Sequence, residues 1–503
     1  MFFLAASISS TNILLILAIV ALPLLCIEIY YRNKQKAHKL TKDGLRQAPT
    51  PRKLPILGHL HLLGGYEVPY QAFSALGEKF GNVVNLQLGN VKCVVLNGQA
   101  NIREALVTKG HHFDSRPNFQ RYQQLFSGNK ENSLAFCDWS DIQKARRDML
   151  KTHTFPRAFT NKYTTLEYLI SSRTEAMIAQ IEPNQTTELK PLILAHCANV
   201  FLSHFCTRSF ESNNKGFIEM IENFDEIFYE VNQGHAADFL PFLMPLHKKN
   251  LQRMSKLTHE IRDFVEKEVI GDRFESFDVE SEPEDYVESL IQHVKCGKSP
   301  DLSWDSAMFA LEDIIGGHTA VGNFLMKLFG FLVSEPEVQR KIQEEIDEAV
   351  ENGRLVTIGD RNNMPYTEAV IFEAVRLIAS PIVPRVANQD SSIDGYSIEK
   401  GSVMFLNNYD LSMSNELWDK PQEFLPERFI KNGRVVKPEY FLPFGGGRRS
   451  CLGYRMVQLI SFGFLGGLMQ NFSIVPVENE SYKVPIGSLA LKKDTFKFCF
   501  VRR

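Results

Sequence analysis

Apolar residues cluster in long segments along most of this chain, and the length of these segments predicts a mainly helical fold. Residues 303 to 333 are mainly apolar with few charges, which is the composition of a helix in the interior of a large domain. Residues 366 to 378 and 454 to 468 contain no proline and are also predicted as helices. Residues 82 to 96 (NVVNLQLGNVKCVVL) are rich in Val and Leu around a Gly-Asn pair, which predicts a β-hairpin. We therefore expect a mainly α fold with a smaller β region.

The first apolar run, residues 13 to 29 (ILLILAIVALPLLCIEI), approaches the length of about 20 residues that spans a membrane. No positive stretch precedes it and no small-x-small cleavage site follows it, so we interpret it as an anchor and not as a cleaved signal peptide. The basic residues that follow keep that end in the cytosol: Arg32, Lys34, Lys36, Lys39 and Lys42. We predict a single-pass anchor over 1–31, a basic and proline-rich linker over 32–56, and a folded domain over 57–503 that faces the cytosol from the endoplasmic reticulum membrane.

The charge pattern excludes one class of partner. The chain has 503 residues and a formal net charge of −3, and residues of both signs are mixed along its whole length. Nucleic-acid binding requires a basic patch or stripe, so we expect no nucleic-acid partner. The cysteines are scattered with no pair at metal-clip spacing, and a protein facing a reducing cytosol needs no disulfides.

One cysteine stands out because of its neighbours. Cys451 lies in the sequence FGGGRRSCLG, after a glycine run and two arginines and just ahead of a predicted helix. A helix N-terminus and two guanidinium groups stabilise a thiolate, which is a strong ligand for soft metals. A buried structural cysteine is the alternative. A phosphate-binding loop is not supported, because no Gly-Lys-Ser/Thr follows the glycines.

The spacing Phe-x-x-Gly-x-Arg-x-Cys-x-Gly resembles the haem-binding loop of the cytochrome P-450 superfamily at every fixed position. The matching residues are Phe444, Gly447, Arg449, Cys451 and Gly453. The resemblance implies a haem-thiolate monooxygenase of the cytochrome P-450 fold, with haem b as cofactor, Cys451 as the iron ligand and molecular oxygen as co-substrate. The chain has no flavin or NADPH motif, so electrons from NADPH would come through a membrane-bound NADPH–cytochrome P-450 reductase. We expect that reductase to dock on a basic surface containing Lys144, Arg147, Arg448 and Arg455.

A second motif supports the same resemblance. Glu373 and Arg376 lie three residues apart in an apolar helical segment, and Arg428 follows within the sequence PERF. An exposed pair at this spacing would contribute only a few tenths of a kcal/mol. By resemblance, the three residues instead form a buried network that holds the underside of the haem pocket, and losing one member of such a network typically costs about 3–5 kcal/mol.

The resemblance also assigns residues to the haem propionates. Arg385 follows a proline at the family position where Arg or His meets a propionate. Residues 138 to 152 are predicted as a helix that carries Trp139 and Arg146, and the family uses a Trp and an Arg of this helix for the same purpose. The two residues are seven apart, so on a helix they would share a face. A solvated basic face is the alternative interpretation.

The long apolar helix contains the sequence Gly316-Gly317-His318-Thr319. The family places an acid and a threonine at the last two positions, where they deliver protons during oxygen activation. Here Thr319 is retained, and His318 replaces the acid. His318 could relay protons, with a titration near its ordinary pKa of about 6.5, or it could simply bond a neighbouring carbonyl. Because Gly316 and Gly317 have no side chains, they could allow the close approach of a ligand or of a neighbouring helix.

Three strings make the resemblance narrower: EDIIGGHTAVGN, EAVRLIASPIVPRVANQD and CLGYRMVQ are similar to the spook-type members of the insect "Halloween" group. This implies a lipophilic sterol substrate early in ecdysteroid synthesis. By the same resemblance, the phenylalanine-rich residues 200 to 250 roof the substrate pocket and partly enter the membrane. The alternatives are a haem-thiolate isomerase or dehydratase without reductase, a P-450 for other lipophilic small molecules, and a non-enzymatic haem sensor or steroid carrier.

Overall fold

The computed structural model describes residues 44–298, 302–351 and 353–503. The predicted anchor over 1–31 and the linker as far as residue 43 lie outside the described residues. The α-helices are α1 Pro69–Phe80, α2 Gln99–Arg103, α3 Gln120–Leu125, α4 Asp141–Thr154, α5 Asn161–Gln180, α6 Leu189–Cys206, α7 Lys215–Val231, α8 Lys248–Phe264, α9 Arg273–Ser276, α10 Tyr286–Lys295, α11 Trp304–Ile315, α12 Gly317–Leu332, α13 Pro336–Ala349, α14 Pro365–Ile378, α15 Asn408–Met413 and α16 Tyr454–Asn471.

The strands are short and, within the described residues, form four sheets. They are β1 Val83–Leu88, β2 Val91–Leu96, β3 Thr186–Thr187, β4 Arg385–Val386, β5 Ser391–Ile393, β6 Tyr396–Ile398, β7 Val403–Leu406, β8 Ile430–Lys431, β9 Arg434–Val435, β10 Phe472–Pro476 and β11 Phe498–Arg502. The largest sheet has the order β1-β2-β7-β4, a second has the order β10-β11-β3, and β5-β6 and β8-β9 are two-stranded. The predicted mainly helical fold with a smaller β region is therefore confirmed.

The predicted hairpin is confirmed as well. Strands β1 and β2 pair antiparallel with Val83 opposite Leu96 and Leu88 opposite Val91, which leaves Gly89 and Asn90 as the turn. Gly89 has a φ of 54°, which favours glycine. Strand β2 also pairs in parallel with β7, so the hairpin is joined to a distant part of the chain.

The main hydrophobic core lies among the helices. Helix α6 packs against α5 and α12, and α16 packs against α5 and α12. Among the described residues, α6 is the helix that is long and apolar enough to cross a membrane, but 78% of it is buried in the protein. Its hydrophobicity is therefore explained by its central place in the core.

The predicted continuous helix over 303–333 is wrong, because the structure divides it at Gly316 into α11 and α12. The N–H of Thr319 donates to the carbonyl of Gly316 at 3.1 Å, three residues back instead of four. A Cβ on Gly316 would lie 2.9 Å from the ring of Phe224, and one on Gly317 would lie 2.8 Å from the ring of Phe201. On this side the glycines make room for packed helices, which was one of the two interpretations.

The predicted helix over 138–152 begins later, as α4. Ser140 is its N-cap, with Oγ accepting from the N–H of Gln143 at 3.1 Å. Trp139 therefore precedes the helix, and the argument that Trp139 and Arg146 share a helical face is wrong.

The last part of the predicted linker packs against the sheet. The carbonyl of Pro49 accepts from the N–H of Asn85 in β1 at 2.9 Å, and the ring of His59 bonds the carbonyl of Pro51 at 2.7 Å. Ala48, just before Pro49, is also buried. The orientation of the chain as it enters the fold is thus fixed by backbone hydrogen bonds.

Candidate active site

The loop that carries Cys451 is closed by its own backbone. The N–H of Cys451 donates to the carbonyl of Phe444 at 3.0 Å. Gly447 lies between them with a φ of 65°, and a Cβ there would lie 2.1 Å from the carbonyl oxygen of Leu106. Only glycine fits at this point of closest approach. Gly453 is the N-cap of α16, so the thiol stands directly ahead of a helix, as predicted.

The guanidinium group beside this loop comes from α4. Arg147 Nη2 donates to the carbonyl of Ser450 at 2.6 Å. The two arginines within the loop face elsewhere: Arg448 forms an ion pair with Asp114, and Arg449 donates to a backbone carbonyl of the segment before α4. The expectation that Arg448 and Arg449 flank the thiol is therefore corrected to Arg147.

Two opposing influences act on the thiol of Cys451. Cys451 is exposed at its surface, yet desolvation by the nearby protein raises its pKa. The backbone N–H groups of Gly453 and Tyr454 and the charge of Arg147 lower the pKa, and the net direction is upward. The helix and the guanidinium therefore do not bring a net lowering of the pKa of Cys451, contrary to the sequence-based expectation. A coordinated metal ion deprotonates a thiol outright.

Three buried arginines meet on one side of this loop. Arg116 Nη1 donates to the carbonyls of Val383 and Pro384 at 2.8 and 3.0 Å. Arg385, the next residue and the first of β4, donates from Nη2 to the carbonyl of Arg449 at 3.4 Å. Nε and Nη1 of Arg385 and Nε of Arg449 are buried without a hydrogen-bond partner. Within the described part of the chain, no carboxylate forms an ion pair with any of the three.

The electrostatics of this cluster are unfavourable without an anion. Burial, Arg385 and Arg449 lower the pKa of Arg116 well below its usual value. Burial and then Arg449 lower the pKa of Arg385 to about 9. Buried charges are ordinarily paired, so this cluster is complementary to an anion that the described residues do not supply.

The other two predicted haem contacts lie apart from this cluster. Arg146 is buried in α4 and donates to the carbonyls of Asn132 at 2.7 Å and Glu131 at 2.9 Å. Trp139 stacks with Arg448, whose Cζ lies 4.6 Å from the ring centroid. Arg146 thus fixes a neighbouring loop, whereas Trp139 supports the loop that holds Cys451. The structure brings neither side chain into contact with Arg385.

The structure brings the predicted network of Glu373, Arg376 and Arg428 together. Arg376 donates to both oxygens of Glu373, from Nη2 at 2.7 Å and from Nε at 2.8 Å. Arg428 Nε donates to Oε1 of Glu373 at 3.1 Å, and the N–H of Leu425 donates to the same oxygen at 2.9 Å. The side chains of Glu373 and Arg376 are fully buried, and the ring of Trp418 lies beside both guanidinium groups. This carboxylate and its two arginines join α14 to the chain around residue 425.

His318 and Thr319 lie side by side at the start of α12. The ring of His318 bonds the carbonyl of Ile315 through Nδ1 at 2.6 Å, and Nε2 lies 3.4 Å from Oγ1 of Thr319. The ring also packs edge-on against Phe224 of α7. Burial lowers the pKa of His318 to about 4, so the ring is neutral near pH 7. Since Nδ1–H must donate to the carbonyl, Nε2 is left as an acceptor for the hydroxyl of Thr319.

Comparison with known proteins decides the family. The family model described as Cytochrome P450 matches residues 48–500. The chain belongs to the cytochrome P450 family. It is 34% identical to Cytochrome P450 307a1 of Drosophila melanogaster over 99% of this chain and 98% of the relative. It is 28% identical to Cytochrome P450 1A1 of Limanda limanda over 87% of each chain, and 29% identical to that of Macaca mulatta over 86% of this chain and 88% of the relative.

The residues of this P450 fit the haem that the family uses. A thiol ahead of a helix supplies a single axial ligand, and a buried arginine cluster with unpartnered N–H groups is the complement of a carboxylate side chain such as a propionate. Cys451 would hold the iron, and Arg116, Arg385 and Arg449 would hold a propionate. Arg116 was missed by the sequence analysis. Family membership supports the P450 fold and monooxygenase activity, with electrons supplied by a reductase as in the family generally.

A groove of about 1120 Å³ opens beside the cysteine loop of this P450. Cys451 lies at one side of the groove, and basic residues predominate among its charged lining. These basic residues are Lys144, Arg147, Lys151, Arg157, Lys162 and Arg448. Arg455, which was also predicted to belong to the basic docking surface, does not line this groove. It is half-buried near Arg361 and Glu368.

Proposed function

We propose that this P450 oxidises an apolar sterol, by inserting oxygen or by oxidative desaturation, at an early step of ecdysteroid synthesis. The observation that carries the proposal is the 34% identity to an insect cytochrome P450 over 99% of the chain, together with the three strings that resemble the spook type. Bound haem supplies the activation of molecular oxygen. The residues of the chain hold that haem, exclude water and bring protons to the oxygen side.

Thr319 is the residue that we propose to guide protons on that side. Its hydroxyl is buried and lies 3.4 Å from Nε2 of His318, which can accept its hydrogen but, being neutral, carries no extra proton. We therefore assign the catalytic role to Thr319: while His318 holds its hydrogen, the oxygen of Thr319 accepts a hydrogen bond from a water that delivers the proton. His318, which stands where the family has an acid, thus acts as the hydrogen-bond acceptor that orients the hydroxyl of Thr319.

The test is turnover by the full-length protein in membranes with NADPH–cytochrome P-450 reductase. Sterols with a 5,7-diene, including 7-dehydrocholesterol, are supplied, and products are detected by mass spectrometry. We expect an oxidised or desaturated sterol only when NADPH, reductase and oxygen are all present, and loss of most product in Thr319→Ala with normal haem content. Oxidation of other lipophilic compounds but of no sterol would contradict the proposed substrate.

A haem-thiolate isomerase or dehydratase is the second candidate, because His318 stands where the family places an acid. Such an enzyme needs no reductase. A product formed at the same rate without NADPH would establish this alternative, and ligand binding with no product in any condition would indicate a sensor or carrier.

We propose that the groove beside Cys451 is the docking face for the reductase. Its basic lining is complementary to an acidic partner, and Phe159 at its edge is fully exposed. Charge reversal at Lys144, which has no catalytic contact, should lower the rate most at low ionic strength, because salt screens exposed charges. An equal effect with a chemical oxidant that bypasses the reductase would count against docking.

We also propose that the protein sits on the endoplasmic reticulum with its domain in the cytosol, held by the 1–31 anchor and by an apolar surface. That surface joins two loops, because the N–H of Asn90 donates to the carbonyl of Phe239 and the N–H of Gly89 to that of Leu57. The exposed apolar side chains on these loops are Ile56, Leu57, Phe242 and Leu246. Deletion of residues 1–31 should therefore release the protein only in part.

Asn184 reports the orientation in the membrane. It belongs to the sequon Asn-Gln-Thr and is exposed, so access to the modifying enzyme is not limiting. A cytosolic domain predicts no sugar at Asn184, whereas a glycosylated Asn184 would reverse the topology.

A further inference from the structure

A stripe of buried polar residues runs along one face of α12. Thr319, Asn323 and Lys327 follow at intervals of four residues, so their side chains lie on the same side of the helix. All three are buried. Asn323 Nδ2 donates to the carbonyl of Thr319 at 2.9 Å, which ties the second residue of the stripe to the first.

The stripe holds one segment of the C-terminal region, residues 485 to 491. Asn323 Oδ1 accepts from the N–H of Leu491 at 2.9 Å. Lys327 Nζ donates to the carbonyls of Pro485 and Ser488, each at 2.5 Å. Both ends of the segment are therefore bonded to side chains of α12.

The same amide also holds α7. Asn323 Nδ2 donates to Oδ1 of Asp225 at 2.9 Å, and Lys190 Nζ bonds Oδ2 of Asp225 at 2.6 Å and the carbonyl of Leu491 at 2.9 Å. The residue before Asp225 is Phe224, whose ring packs on His318. Segment 485–491 and α7 are thus positioned together relative to the oxygen side of α12.

Segment 485–491 is also bonded to α14. The N–H of Gly487 donates to the carbonyl of Ile378 at the end of α14 at 2.7 Å. Four residues farther on, the side chain of Ile382 lies next to Gly445. The segment is therefore held between α12 and the end of α14, and the chain that follows α14 packs beside the cysteine loop.

A buried lysine whose only role is packing would cost folding free energy. Lys327 forms no ion pair with a carboxylate among the described residues, and burial lowers its pKa to about 7. An apolar side chain of the same length would avoid this loss of solvation. What Lys327 adds is its pair of hydrogen bonds to the segment.

We propose that Asn323 and Lys327 are positioning residues that fix segment 485–491 against the Thr319 face, and thereby determine which carbon of the substrate is oxidised. The inference rests on the proposed oxidation of a sterol at this face. It gives Asn323 and Lys327 no contact with haem or with reacting atoms. Their effect is transmitted through the backbone of the segment.

The first test measures the segment itself by hydrogen–deuterium exchange of the full-length haem protein. Asn323→Leu removes the acceptor of the Leu491 N–H, and we expect exchange of that amide to accelerate roughly tenfold. The N–H of Gly487 keeps its partner Ile378 and should retain most of its protection. Lys327→Met, which keeps the length of the side chain, should loosen peptides covering 485 to 491 without unfolding the core.

The second test measures products. With 7-dehydrocholesterol as the probe, both variants should change the ratio of product isomers and lower product per NADPH several-fold, while the haem-thiolate spectrum stays within about the native range. If Asn323→Leu yields no folded protein, Asn323→Ser provides the same test with a smaller loss of polarity.

Gln339 provides the matched control. Its amide is buried, accepts from the N–H of Ile474 at 2.8 Å and donates to the carbonyls of Leu332 and Ile474, but it holds β10 and not segment 485–491. Gln339→Met removes a similar set of hydrogen bonds. We expect it to destabilise the protein comparably and to leave the product ratio and the exchange of segment 485–491 unchanged.

Two results would overturn the proposal: unchanged exchange of segment 485–491 in Asn323→Leu, or faster exchange with a native product ratio.

If the native enzyme does not oxidise the sterol, the proposed substrate is wrong, and the positioning role is tested separately. The affinity for 4-phenylimidazole then replaces the product ratio. A several-fold shift in Asn323→Leu and Lys327→Met but not in Gln339→Met would support the positioning role.

Discussion

Two buried arginine clusters lie in this P450, and they are built in opposite ways. Around Glu373, two arginines share one carboxylate whose oxygens accept four hydrogen bonds from the protein. Around Arg385, buried guanidinium nitrogens have no partner and no carboxylate forms an ion pair with them among the described residues. The first cluster is complete within the chain, whereas the second is complementary to an anion.

The difference shows how to tell a structural ion pair from a ligand site when the residue types are the same. A buried pair whose members satisfy each other contributes to folding, and removing one member leaves the other uncompensated. A buried cluster of like charges costs folding free energy, so its presence indicates a bound group of opposite charge. Four predictions test this comparison, from the largest expected effect to the smallest.

Removing the iron ligand should have the largest effect, because the haem would lose its bond to the protein and the Arg385 cluster would lose the group it is complementary to. The reduced, CO-bound native protein should show the long-wavelength Soret band of thiolate-ligated haem, and Cys451→His should lose it completely. The buried Cys197 in α6 offers a control, since Cys197→Ala should keep the band. Survival of the band in Cys451→His would show that another residue ligates the iron.

Glu373→Ala should break the complete cluster. Two guanidinium groups lose their shared carboxylate, and we expect a loss of about 3–5 kcal/mol of stability and little haem-containing protein. The matched control is Glu337, which pairs with Arg340 at the same spacing on the surface with side chains 62% and 51% exposed. Glu337→Ala should leave the stability nearly unchanged, because an exposed ion pair contributes little. Equal effects of the two substitutions would contradict the structural role of Glu373.

Arg385→Met should show that the Arg385 cluster binds a ligand, whereas the Glu373 cluster stabilises the fold. Because burial and Arg449 already lower the pKa of Arg385, its removal should not lower the thermal stability of the haem-free protein. Haem should dissociate more readily, by roughly 10- to 100-fold in affinity, since a charge-assisted hydrogen bond is lost. Transfer of haem to an acceptor protein measures this. Reduced stability with unchanged haem affinity would place Arg385 with the structural cluster.

His318→Ala should have the smallest effect. Thr319 loses an acceptor, and product per NADPH should fall roughly 2- to 10-fold with haem content retained. Because burial lowers the pKa of His318 to about 4, we expect the native rate to show no inflection from this ring near pH 6.5. As the pH drops from about 6.5 toward 4, His318 binds a proton in the unfolded chain but not in the folded protein, so the free energy of unfolding decreases. His318→Ala should lack this contribution to the decrease. An inflection near pH 6.5 that disappears in the variant would show a titrating relay.

Local patterns predicted the features whose causes are local. The hairpin at residues 83 to 96 follows from Val-rich strands around a Gly-Asn turn, and the helix behind Cys451 follows from an apolar run after a glycine loop. The spacing of Glu373 and Arg376 follows from one helical turn. The break at Gly316 was missed because its cause, the approach of Phe201 and Phe224, comes from α6 and α7.

The sequence by itself determined the family, the cysteine and the order of the motifs, because those depend on residue type and spacing within short segments. Only the tertiary structure decided which charges face each other. It moved the guanidinium beside the cysteine loop from Arg449 to Arg147, and it brought Arg116 to Arg385 across more than 260 residues of chain. Electrostatic and packing energies depend on distance in space and on burial, and neither can be read from positions that are far apart along the chain.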